Sequence, residues 1–316
     1  MNDRRDATIA PPIDLDAYFE RIGYMGERTP TLATLRAIHA RHPQAIAFEN
    51  LDPLLGRPVP LDARSLEQKL IRNRRGGYCF EQNLLFSHVL ESIGFHVTGL
   101  KARVLWNSGN ASEYENPPRS HMLMRVDLDG QAYIADVGFG GQTLTGPLRL
   151  EPDIEQATPH EPFRFVKVGD DFVLQSKIRS GWTALYLFDL QEQFLADYEV
   201  FNYYVSTHPS SLFTQTLFFA RPDADRRNTL FGNELKVHHL NGRTERRVIE
   251  SVAELWEALE GAFRLTLRET PELDALLARV IQSDGAPPRS YSTQAAVNAE
   301  QRLRNRHSRA RELSVY

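Results

Sequence analysis

The chain has 316 residues, 41% of them hydrophobic and 25% charged, the balance of an ordinary globular protein with length for about two domains. A net charge of −4 gives no electrostatic footprint for nucleic acid or an anionic membrane surface, and no uninterrupted apolar stretch is long enough to span a bilayer. Met1 to Pro12 lack the apolar core of a signal peptide; with a single cysteine in the chain, the expected location is cytoplasmic.

Helical periodicity governs the first part of the chain. Leu15, Tyr18, Phe19 and Ile22 predict a short amphipathic helix stopping near Gly23, and Leu32, Leu35 and Ile38 a second, ended by Pro43. Ser65-Leu66-Glu67-Gln68 reads as the capping box of a third. A fourth is expected from the apolar series Phe80, Leu84, Leu85, Val89, Leu90 and Ile93, which stops at Gly94. The lone cysteine, Cys79, opens this last helix directly after Gly76-Gly77 and Tyr78. One cysteine makes no internal disulfide and no multi-thiolate metal site. In isolation it reads as a small buried hydrophobe. At a helix N-terminus, however, the unpaired N–H groups and the macrodipole favour a thiolate, and the glycines are expected to leave the sulfur approachable.

From Val97 to about Phe201 alternation replaces the helical period. Leu100, Ala102, Val104 and Trp106 predict one strand, Phe163 to Leu174 a hairpin around Gly169-Asp170, and Trp182 to Phe188 another strand. Between them Met122, Met124, Val126 and Leu128 alternate up to Asp129-Gly130, a preferred two-residue hairpin turn. That turn pairs Leu128 with Gln131, so Leu123 faces Asp136 and His121 faces Gly138. His121 and Asp136 then share one face as diagonal neighbours, roughly 7–8 Å apart at the backbone and within side-chain reach. A one-residue slip would put them on opposite faces. Each alone reads as a structural residue; with Cys79 they form a nucleophile, base and orienter set. Beyond, strands are expected around Asn241-Gly242. A helix capped by Ser251 carries Val252, Leu255, Trp256, Leu259 and Phe263, and a last helix starts at Thr270-Pro271.

Arg75-Gly76-Gly77-Tyr78-Cys79-Phe80-Glu81-Gln82-Asn83 closely resembles the active-site cysteine motif of the arylamine N-acetyltransferases. Ala47-Phe48-Glu49-Asn50-Leu51, His121 with Asp136-Val137-Gly138-Phe139-Gly140, and Asn202-Tyr203-Tyr204 through Pro209-Ser210-Ser211 and Phe213 resemble further family elements in the same order. The resemblance spans about residues 13 to 270. It implies an α+β fold: a helical domain (1–95) carrying the cysteine, an antiparallel β-barrel (96–205) carrying His121 and Asp136, and an α/β lid (206–283). Residues 284–316, rich in Pro, Arg and Gln, are expected to form a flexible tail.

The same resemblance implies acetyl transfer from acetyl-coenzyme A to an arylamine or hydrazine, in ping-pong order through acetyl-Cys79. It implies that Gly138, Gly140, Gly141 and Thr143 offer backbone N–H groups to the coenzyme A pyrophosphate, with Tyr204 and Ser210 as further cofactor contacts. Phe139 and Val104 would line the acceptor pocket, and Glu49 with Arg75 would form a buried ion pair steadying the cysteine loop. No Walker-type ending follows the glycine loop, His238-His239 reads as solvated, and no metal site is apparent. Three alternatives stay open: a cysteine peptidase or transglutaminase-like acyl transferase, an amide synthase closing a macrolactam, and a non-catalytic coenzyme A or arylamine binding module.

Overall fold

The computed structural model describes residues 13–106 and 117–282. The expected tail 284–316 and the segment from Met1 to Pro12 lie outside the described residues. The first part is helical: α1 (Leu15–Ile22), α2 (Leu32–Ala45), α3 (Leu51–Leu54), α4 (Ala63–Leu66) and α5 (Cys79–Ile93). Asp14 caps α1, its carboxylate accepting the Ala17 N–H, and Gly23 ends the helix in the left-handed region at φ 64°. Two expectations change. Pro43 does not end α2, which runs to Ala45 with the proline inside its last turn. A proline there removes one intrahelical bond, and buried His42, bonded to Tyr18 and Gln82, anchors that turn. The cap of the next helix is Asp62, bonded to the Ser65 N–H, rather than Ser65; α4 passes into a π-helical turn, Glu67–Arg72.

Seven antiparallel strands form a nearly closed barrel in the order β5-β4-β3-β2-β8-β7-β6. They are β2 (His96–Val104), β3 (His121–Leu128), β4 (Gln131–Ala135), β5 (Leu148–Arg149), β6 (Phe163–Val168), β7 (Asp171–Ile178) and β8 (Gly181–Phe188). Bridges Pro152↔Phe165 and Gln156↔Phe163 close the gap between β5 and β6. Asp129 and Gly130, both at positive φ, turn β3 into β4, and the register runs from Leu128↔Gln131 to Met124↔Ala135, as the two-residue turn predicts. Strand alternation then sorts the side chains. Met122, Met124, Val126 and Tyr133 pack on the helical layer, whereas Leu123 and Ile134 fill the barrel with Phe163, Phe165, Leu174 and Phe188. The end of the alternating region is not strand: Leu195–Thr207 forms helix α6.

A second sheet has the order β1-β9-β10-β11-β12. It contains β9 (Phe218–Pro222), β10 (Arg226–Phe231), β11 (Glu234–His239) and β12 (Thr244–Val248), and β1 (Phe48–Glu49) from the helical part joins its edge. Helices α7 (Val252–Gly261), capped by Ser251, and α8 (Pro271–Gln282) cover one face through Leu255, Leu259, Phe263, Leu273 and Leu277. The architecture is α+β: a helical domain, a central antiparallel barrel and a C-terminal α/β lid. No described helix is long and apolar enough to cross a membrane.

Candidate active site

Cys79 is the first residue of α5, and its N-terminal turn is closed by Glu81, whose carboxylate accepts the Tyr78 N–H at 3.0 Å. The helix lies against β3, where Cys79 Sγ is 3.7 Å from the Ser120 carbonyl. A Cβ added to Gly138 would fall 3.0 Å from Cys79 Cα and 3.1 Å from its carbonyl oxygen, so only glycine lets the Asp136 loop approach Cys79 this closely. His121 starts β3 and Asp136 follows β4, and His121 Nε2 meets Asp136 Oδ2 at 2.7 Å. Both are buried, Asp136 completely. Burial works against the Asp136 anion. The His121 charge and hydrogen bonds from His121, Asn83 and the Gly138 N–H nevertheless hold its carboxyl below the ordinary range.

Two expectations for the cysteine need correction. Gly76 and Gly77 do not clear a path to the sulfur: a Cβ on Gly76 would meet the Ala47 carbonyl at 2.2 Å, and one on Gly77 the Glu81 carboxylate at 2.8 Å. They fit the loop tightly against β1 and Glu81. Nor does the helix N-terminus alone make a thiolate. Burial pushes the Cys79 thiol up to about 12; the Met122 N–H opposes this, and the Asp136 charge adds to it. Cys79 is only 3% exposed, and lost hydration is the largest influence on its thiol.

Beneath the loop lies a chain of charges. Arg75 Nη2 is 2.6 Å from Glu49 Oε1 and 3.4 Å from Asp52 Oδ1. Lys69 Nζ bridges Asp52 Oδ2 at 2.5 Å and Glu81 Oε1 at 2.6 Å. Burial by itself would depress the Lys69 and Arg75 values, but the surrounding carboxylates hold both above the ordinary range. Glu49 also accepts the Leu51 N–H at 2.7 Å. The expected Glu49–Arg75 pair is therefore present and extends through Asp52 and Lys69 to the cap of the cysteine helix. Because the Glu49 side chain is fully buried, Arg75→Met is expected to cost about 3–5 kcal/mol, the cost of stranding a buried charge. Denaturant unfolding would measure it.

The remaining predicted residues divide into two groups. Phe139 and Tyr186 each lie 5.0 Å, centroid to centroid, from the His121 ring and from one another. Val104 pairs with Tyr186 across β2 and β8. An aromatic wall thus stands beside the imidazole. In the glycine loop Gly138 gives its N–H to Asp136 Oδ1 at 3.0 Å, and Phe139 gives its own to Thr143 Oγ1 at 3.2 Å. The Thr143 N–H bonds the Gly140 carbonyl at 3.2 Å. Gly138 and Thr143 therefore spend their N–H groups inside the loop, a correction to their expected role as anion donors. Gly140, at φ 71°, and Gly141 pack on the second sheet, where added Cβ atoms would meet Phe218 at 3.1 Å and Thr229 at 3.2 Å. Tyr204 and Ser210 meet each other at the end of α6, their hydroxyls 3.4 Å apart, with His208 stacked on Tyr204. Next to Gly140, Phe48 packs on both Phe218 and Phe213.

The sequence reading missed Asp52, Lys69, Glu81 and Tyr186 and gave no role to His39 or Asn83. A helical-wheel view could have singled out Asn83, four residues after Cys79 and on the same face of α5. Asn202, in the expected Asn-x-Tyr element, accepts a hydrogen bond from the Tyr78 hydroxyl and donates to the Val59 carbonyl at 2.8 Å. His238 is half-buried rather than solvated, and His239 lies 2.7 Å from Glu245. Among the described residues no cluster of three or more His, Cys, Asp or Glu is arranged to hold a metal ion.

Residues 31–272 match the sequence profile of a family described as N-acetyltransferase. An arylamine N-acetyltransferase of Mycolicibacterium smegmatis is 42% identical over 276 residues, 86% of this chain and 99% of that protein. The chain belongs to the arylamine N-acetyltransferase family. A second arylamine N-acetyltransferase, from Escherichia coli strain K12, is 43% identical over 252 residues, covering 79% of this chain and 88% of its own length. The solved structure of the Mycobacterium marinum arylamine N-acetyltransferase in complex with CoA is 40% identical and superposes with a TM-score of 0.80, covering 84% of this chain and 99% of that one. As an arylamine N-acetyltransferase the chain is an enzyme, an acyltransferase. The candidate site of Cys79, His121 and Asp136 lies where α5 packs on β3 and the Gly138 loop.

Proposed function

We propose that this arylamine N-acetyltransferase transfers acetyl from acetyl-coenzyme A to an arylamine or hydrazine through an acetyl group carried on Cys79. The carrying observation is the buried 2.7 Å contact between His121 Nε2 and Asp136 Oδ2, beside a cysteine that begins a helix. Asp136 occupies Nε2 and fixes the tautomer, which leaves Nδ1 to exchange a proton with the sulfur. A bare thiolate is disfavoured by burial. The reactive state is therefore the ion pair in which the thiol proton rests on His121, stabilised by Asp136 behind it.

Cys79 Sγ attacks the thioester carbonyl carbon; the Sγ–acyl bond forms and the coenzyme A carbon–sulfur bond breaks. The exchange is nearly balanced because one thiolate replaces another, and the departing sulfur takes the proton from His121. In the second half-reaction the amine nitrogen attacks the acyl carbon, its proton passes to His121, and Sγ leaves and is reprotonated. One site serves both substrates in turn, which is ping-pong order. The half-buried Phe139 ring, backed by Tyr186 beside His121, suits a planar aromatic acceptor. For the cofactor, the coenzyme A-bound relative supports coenzyme A as the carrier, and the glycine loop is the assigned contact. With Gly138 and Thr143 engaged internally, the contact falls to the Gly140–Gln142 turn. Tyr204 and Ser210 are assigned to the outer part of the same cofactor.

Incubating the protein with acetyl-coenzyme A and no acceptor is expected to add one acetyl mass, mapped by peptide sequencing to Cys79, and an added arylamine should discharge it. An unchanged intact mass with active cofactor would overturn the mechanism.

A further inference from the structure

Asn83 lies one turn along α5 from Cys79, and the mechanism above gives it no part. Its side chain is completely buried. Nδ2 donates to the Met122 carbonyl at 2.7 Å and to Asp136 Oδ1 at 3.0 Å, while Oδ1 accepts the Val137 N–H at 2.9 Å. Met122 follows His121 on β3, and Val137 follows Asp136. One amide thus bonds, from the nucleophile's helix, to the strand of the base and the loop of the orienter. We infer that Asn83 is a positioning residue for acyl transfer: it keeps the Asp136 carboxylate ionised and turned toward His121, and fixes the base relative to Cys79. The inference rests on the triad proposed above.

The bond inventory argues for this role over simple packing. Asp136 Oδ2 is committed to His121, and Oδ1 takes the Asn83 amide and the Gly138 N–H, with the Tyr186 hydroxyl also near the carboxylate. Without Nδ2 the carboxylate keeps one short-range bond on Oδ1 and gains freedom to rotate away from the imidazole. The backbone of Asp136 is held separately, its N–H bonding His39 Nε2 at 3.2 Å. Loss of Asn83 would therefore act on the carboxylate plane rather than on the whole loop. A buried carboxylate whose donors are removed also rises in pKa, since hydrogen bonds favour the charged form.

Asn83→Asp tests this with nearly the same shape. Two carboxylates about 3 Å apart cannot both ionise. While protonated, the introduced carboxyl can still donate to Asp136; once ionised, it repels it. The other titratable groups facing this point are His39 from α2, Cys79 from α5, His121 from β3, Asp136 itself and Tyr186 from β8. They are common to both proteins and largely cancel in a ratio. The variant-to-wild-type ratio of kcat/KM for acetyl-coenzyme A is expected to fall at least about tenfold as pH rises from about 6 to about 9. A ratio that is flat with pH would make Asn83 merely structural and overturn the inference.

If Asn83→Asp does not fold, Asn83→Ser keeps the question open to test, because its hydroxyl is too short to reach both partners. Iodoacetamide should then alkylate Cys79 at least about tenfold more slowly near neutral pH, and the low-field ring N–H proton signal of His121 should move. Wild-type rate and an unmoved signal would overturn the role. Alkylation needs no coenzyme A, so it reads Asn83 even if wild-type protein takes no acetyl group, which would sink only the acetyl-transfer reading.

Discussion

Cys79→Ser is expected to abolish turnover, by at least about three orders of magnitude, while leaving the fold intact. Catalysis built on a cooperating nucleophile and base loses most of its advantage when either is removed. A hydroxyl resists ionisation far more than a thiol, and burial already pushes even the thiol up to about 12. The structural cost is small, since the contacts of Sγ with the Ser120 carbonyl at 3.7 Å and with the Met122 N–H are ones a hydroxyl can keep. Thermal unfolding should therefore differ from wild type by no more than about 1 kcal/mol. Steady-state acetyl transfer with the circular dichroism melt alongside makes the comparison. Retained activity in a well-folded variant would mean that another residue is the nucleophile.

What could be read from the sequence was what short-range rules control. The first helix with its stop at Gly23, the Ser251 cap and the β3–β4 register each depend on residues within one element or one turn. The turn at Asp129-Gly130 was sufficient to put His121 beside Asp136, because side-chain facing is fixed once the register is. What stayed hidden depends on long-range pairing. Tyr186 reaches His121 only because β8 pairs with β2, and β1 becomes the edge of the lid sheet only through β9. Lys69 and Asp52 carry no local pattern that marks them; only the folded chain brings them to Glu81 and Arg75. Pro43 misled because its local penalty of about 3 kcal/mol competes with tertiary bonds to His42 that no local pattern reveals. The thiol misled likewise: a helix terminus is visible in sequence, whereas the burial that opposes it belongs to the packed interface of α5, β3 and the Gly138 loop.

Asp136→Asn should lower kcat/KM by at least about two orders of magnitude, less than the roughly four lost when a serine triad loses its aspartate, because the helix N-terminus still favours negative charge at Cys79. Two effects of Asp136 on the sulfur oppose each other. Its negative charge directly raises the thiol pKa, so removing it would ease ionisation. It also stabilises the imidazolium that accepts the thiol proton, so removing it would hinder ionisation. Distance decides between them, since charge interactions fall as the inverse of separation. Asp136 touches His121 at 2.7 Å but makes no hydrogen bond with Cys79, so the imidazolium effect wins. The amide also presents a donor where Nε2–H needs an acceptor, favouring the wrong tautomer. Alkylation of Cys79 against pH gives the sign directly. Wild type should react with a midpoint below that of the variant, and the variant should need more alkaline solution. Matching profiles would make Asp136 a purely structural residue. A shift to lower pH in the variant would mean that Asp136 acts on the sulfur only as a nearby negative charge.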